Sequence, residues 1–62
     1  MQSPTPEEIK AARLKSGLTP PKAAKLVYID RTSWTRYEAG KIKMTPATFE
    51  LFLLKTGQKT LD

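Results

Sequence analysis

Apolar residues recur along this chain at three- and four-residue steps rather than at every second position, which predicts helices and no strands. In the first stretch Ile9 and Ala12 share one face with Arg13, Leu18 packs just beyond it, and Leu14 lies off it. Thr5 caps the start, Pro6 takes the first helical position, where a missing N–H costs nothing, and Glu8 completes a capping box. Gly17 then stops the helix after about Ser16. Thr19 restarts the chain as a second N-cap, Pro20 and Pro21 fill the first turn, and a helix of about eight residues runs through Val27. Ala23 and Ala24 at its centre predict a second helix crossing closely, since larger side chains would hold the axes apart.

The third stretch, Asp30 to Lys41, is the most structured in its signals. Asp30 accepts from the first-turn N–H groups and Gly40 supplies the αL stop, giving a helix over roughly Arg31 to Ala39. Ile29, Trp34 and Tyr37 point one way; Arg31, Thr32, Thr35 and Arg36 point the other, with no acid among them. Only Tyr28 and Ile29 separate this helix from the second, so the two are expected to cross steeply instead of lying side by side. Lys41, Ile42, Lys43 and Met44 read as a basic loop. Thr45 and Pro46 repeat the cap-plus-proline start, and a fourth helix runs to about Lys55, before Gly57. Its core face is Phe49, Phe52 and Leu53. Leu51 and Leu54 form a second apolar stripe, which fits either a dimer contact or a seat for the tail Gln58 to Asp62.

At 62 residues this is a single domain over 1–62, small enough that only about 60% of the unfolded surface is buried on folding. Residues 1–4 and 58–62 are expected to be flexible tails. Without cysteine or histidine the chain has no disulfide, no zinc site of the usual type and no imidazole base, so neither a metal, a cofactor nor a catalytic residue is expected. Met1 to Lys10 is polar and the run Phe49 to Leu54 is interrupted by Glu50, so neither a leader nor a membrane span is expected; the reading is cytoplasmic, at the nucleoid.

The net charge of +5 attracts polyanions, and its distribution sharpens that inference. Between Lys10 and Lys43 stand Lys10, Arg13, Lys15, Lys22, Lys25, Arg31, Arg36, Lys41 and Lys43, against only Asp30 and Glu38. A helix with long donors on its outer face suits the major groove of B-form DNA, which is about 12 Å wide. Arg31 and Arg36 are placed for bidentate contacts to guanine, and Thr32 and Thr35 for a hydroxyl or methyl contact to bases. Thr19, Lys22, Lys25, Ser33, Lys41 and Lys43 are the candidates for phosphate.

The segment LTPPKAAKLVYIDRTSWTRYEAGKIK resembles the helix-turn-helix of the Cro and CI repressor class, the XRE-type family, and the similarity extends over about Ile9 to Leu53. Leu18 and Thr19, Ala24, and then Tyr37, Glu38, Ala39 and Gly40 hold the places of that pattern. The resemblance implies an all-α, lambda-repressor-like domain of four helices, or five. It also implies a salt bridge between Arg13 and Glu38 tying the first helix to the third, because an arginine on an inward edge must be paired. The implied partner is double-stranded DNA carrying an inverted-repeat operator, bound by a homodimer; no membrane and no small-molecule ligand are expected. The implied role is a small repressor or autoregulator of a phage or mobile element, with no effector or dimerisation domain following. Two places depart from the pattern. Pro20 and Pro21 replace the glutamine start of the second helix and remove two backbone donors, so the phosphate clamp is expected to be more ionic. Tyr28 stands where a turn glycine is usual, so the turn either avoids αL or carries strain of about 1 kcal/mol. The competing class is a protein-interaction module, an antitoxin or adaptor, holding its partner through Leu14, Leu51 and Leu54.

Overall fold

The structure is a computed structural model describing residues 2–60. Four helices follow one another, α1 (Pro6–Ser16), α2 (Pro20–Leu26), α3 (Arg31–Glu38) and α4 (Pro46–Lys55), with no strand among the described residues. The tail expected at Met1, Leu61 and Asp62 lies outside the described residues.

Each start has its own capping chemistry. Thr5 and Glu8 form the reciprocal box, the Glu8 N–H donating to Thr5 Oγ1 at 3.1 Å and the Thr5 N–H to Glu8 Oε1 at 2.8 Å. Asp30 Oδ2 accepts from the Ser33 N–H, and Thr45 Oγ1 from the Thr48 N–H, both at 3.2 Å. Thr19 departs from expectation: its backbone is extended as a cap requires, but its side chain makes no capping bond. With proline at the first two helical positions, the first free N–H there is that of Lys22.

The four ends are alike. At each, two backbone N–H groups reach back to the carbonyls of the last turn in the Schellman arrangement. In α3 the Gly40 N–H donates to Tyr37 and the Lys41 N–H to Arg36; in α2 the Tyr28 N–H donates to Lys25 and the Ile29 N–H to Ala24. The motif needs a left-handed residue at its pivot. Gly17, Gly40 and Gly57 supply it with φ near +75°, and at the end of α2 Tyr28 takes it with φ +63°. Of the two outcomes open to that turn, the chain adopts the strained one.

The core joins Ile9 and Ala12 of α1, Ala23, Ala24 and Val27 at α2, Trp34 of α3, Phe52 of α4 and Met44 from the loop. Met44 corrects the sequence reading, which left it in a basic loop: its side chain is fully buried. One apolar residue between Lys43 and Thr45 has no periodicity to announce it, yet it joins the core cluster with Trp34 and Phe52. Trp34 and Phe52 pack with ring centres 5.0 Å apart, tilted by 49°. Ala23 and Ala24 are buried to within 1%, and α2 makes its closest packing with α3, as the paired alanines predict. Gln58, assigned by the sequence reading to a flexible tail, is tied down: its Nε2 donates to the Ala12 carbonyl at 3.0 Å.

Candidate nucleic-acid interface

The position of α3 is set from below. Trp34 fills the core, Tyr37 is half-buried beside it, and Ile29 packs at the entry. At the far end Arg13 of α1 grips Glu38 as a fork, Nε donating to Oε2 at 2.5 Å and Nη2 to Oε1 at 3.1 Å. Arg13 Nη1 also donates to the Leu18 carbonyl at 3.1 Å, which anchors the turn between α1 and α2. Sequence reasoning missed a further member: the Trp34 Nε1–H donates to Glu38 Oε2 at 2.5 Å. Their spacing of four residues along one helix face was the available signal. Burial by itself would push the Glu38 carboxyl up; the hydrogen bonds from Arg13 and Trp34 and the Arg13 charge outweigh it and hold the group below its usual range. The same bond raises Arg13 further above its ordinary value, so both stay charged.

On the opposite side of α3, Arg31, Thr32, Thr35 and Arg36 are all exposed and, with Ala39 and Lys41, line one shallow groove. Among the described residues neither guanidinium has an acidic partner within ion-pair distance. Their donors therefore face solvent unsatisfied by protein. Thr35 Oγ1 donates its proton to the Arg31 carbonyl at 3.0 Å, leaving its lone pairs and methyl group outward.

The candidate phosphate contacts do not form one set. Lys41 shares the groove with the two arginines, while exposed Lys43 lies on the other side of the Gly40 turn, near Tyr37 and the segment Gln2 to Pro6. Lys22 and Lys25 stand on the face of α2 turned away from the core, beside Leu26, Tyr28 and Lys55. Thr19 is exposed at the head of α2. Ser33 is engaged elsewhere: its hydroxyl donates to Asp30 Oδ1 at 2.6 Å, and a hydroxyl whose one proton is used has nothing to offer a phosphate oxygen. That bond, with the backbone bonds from Ser33 and its neighbours, holds the exposed Asp30 carboxyl below its ordinary value.

Leu51 and Leu54 are half-buried on α4, and Leu51 packs against the core. No helix of the described residues is long and apolar enough to cross a membrane. The profile of the helix-turn-helix domain family matches residues 7–55. No significant match to a curated protein was found.

Proposed function

Because the chain belongs to the helix-turn-helix domain family, we propose that it is a sequence-specific DNA-binding transcription regulator that lays α3 in the major groove. The observation that carries this reading is the outer face of α3, where two unpaired guanidiniums and two threonines stand together on a helix whose other face is locked into the core. Arg31 and Arg36 each offer a planar fork to the O6 and N7 atoms of guanine, Thr32 a hydroxyl or methyl, and Thr35 a methyl or an acceptor for a base amino group. Lys41 and Lys43 flank the helix end and serve as phosphate clamps, joined by the exposed Thr19 at the head of α2.

In this reading the protein is a small repressor or autoregulator of a phage or mobile element. It binds an inverted repeat as a dimer, with half-sites about 34–36 Å apart, so that two copies of α3 enter successive major grooves on one side of the duplex. The half-buried stripe of Leu51 and Leu54 is the candidate dimer contact.

Fluorescence anisotropy against the DNA just upstream of its own gene tests the assignment. Arg31→Ala and Arg36→Ala are each expected to lose about 1–3 kcal/mol of discrimination between that site and scrambled duplex. Wild-type affinity and selectivity in both variants would show that α3 does not read the groove.

A further inference from the structure

Along the outer edge of α2, between the turn after α1 and the end of α4, runs a shallow groove lined by Leu18, Lys22, Lys25, Leu26, Tyr28 and Lys55. It shares no residue with the groove of Arg31 and Arg36. Leu18 and Leu26 give it an apolar floor, three ammonium groups surround that floor, and no carboxylate lines it. Lys55 Nζ donates to the Leu26 carbonyl at 3.1 Å and to the Tyr28 hydroxyl at 2.5 Å, and it lies 4.0 Å from the Tyr28 ring centre. An ammonium has three donors, so one remains for a ligand.

Tyr28 makes this surface more than a patch of solvated lysines. It is 78% exposed, and it holds the left-handed pivot that glycine fills at the ends of the other three helices. A large aromatic kept at a strained position and turned outward is an outlier of the kind that accompanies a binding role. The mixture of groups selects the ligand. A phosphate backbone would satisfy the lysines but leave the exposed Tyr28 ring and the outer edge of Leu26 against water, whereas a peptide with carboxylates flanking a large apolar side chain meets both demands.

We propose that this groove docks an acidic segment of another protein, seating one apolar side chain between Leu26 and Tyr28 and pairing its carboxylates with Lys22, Lys25 and Lys55. The regulator then holds DNA on α3 and a protein partner on α2 at once, and Lys22 and Lys25 serve the peptide instead of phosphate.

The probe is a short synthetic peptide with two leucines inside a run of glutamates, titrated into the isotope-labelled full chain beside a matched peptide whose leucines are serines. Amide shifts should centre on Leu26, Tyr28 and Lys55, and the leucine peptide should bind roughly tenfold tighter than the serine peptide. Tyr28→Gly should weaken the leucine peptide by about tenfold while the circular dichroism spectrum and the parallel DNA titration stay at wild type. Equal affinity for the two peptides, shifts centred on Arg31 and Arg36, or no shift at millimolar peptide would overturn the docking site. Retained DNA binding in that case would leave the reading of α3 intact, and loss of DNA binding by the arginine variants alone would leave the peptide site intact.

Discussion

The Glu38 carboxylate takes hydrogen bonds from Arg13 on α1 and from Trp34 on its own helix, so one side chain sets both where α3 sits and how it is rotated. The Arg13 and Glu38 side chains are only 12% and 14% exposed, so removing either leaves the other charged and poorly hydrated. Arg13→Ala and Glu38→Ala are each expected to destabilise by about 2–3 kcal/mol in urea melts, with the double variant losing little more than one of them. Additive losses would mean that the two side chains act independently. The pH dependence follows from the same group. Glu38 is held below its ordinary value when folded, so its contribution is fully present above the unfolded value of about 4.3 and is lost as pH falls through the lower folded value. Wild-type melting temperature should therefore fall on acidification below about pH 4 more steeply than that of Glu38→Gln, whose amide does not titrate. Tyr28 works in the opposite direction. Its positive φ is strained and its contacts with Lys55 are exposed, so Tyr28→Gly should raise stability by about 0.5–1 kcal/mol in thermal melts.

Elements here are delimited by caps more than by propensity. Asp30 at one end and the Gly40 turn at the other confine α3 to eight residues, which places Arg31 and Arg36 near its two ends on the outer face. The Gly40 turn does a second thing: a Cβ built there would stand 3.3 Å from Pro6 Cγ, whereas one at Gly17 meets nothing within 4 Å. Both positions have left-handed backbone, so both alanine variants should lose about 1 kcal/mol, and Gly40→Ala should lose measurably more in paired chemical melts. Equal losses would show that the contact with α1 relaxes freely. The caps, the glycine stops and the two faces of α3 were legible in the sequence because each depends on residues within one helical turn. Thr19 misled in one respect: its residue type and extended backbone suit a cap, yet its side chain takes no bond from the Lys22 N–H, the third-position donor that the other three caps use.

At the scale of the whole molecule, four short helices enclose one core with a radius of gyration of 10.4 Å, close to the roughly 10.6 Å expected of a compact chain this long. The excess of positive charge lies mostly outside that core, exposed on α2, α3 and the loop after Gly40. Affinity for DNA should consequently fall steeply with salt, and Lys43→Ala should weaken every duplex alike and reduce the slope of log affinity against log salt by about one. A sequence-selective loss would place Lys43 on a base instead. By itself the sequence determined the starts and stops of α1 to α4, the inward place of Trp34 and the outward arginines of α3, since caps and 3.6-residue spacing act between near neighbours. Only the tertiary structure decided that Met44 completes the core, that Gln58 is pinned to Ala12, and that Lys22 and Lys25 share a groove with Tyr28 and Lys55. Those outcomes turn on which side chains distant segments bring together, and on how much water each leaves behind, and no local periodicity encodes either.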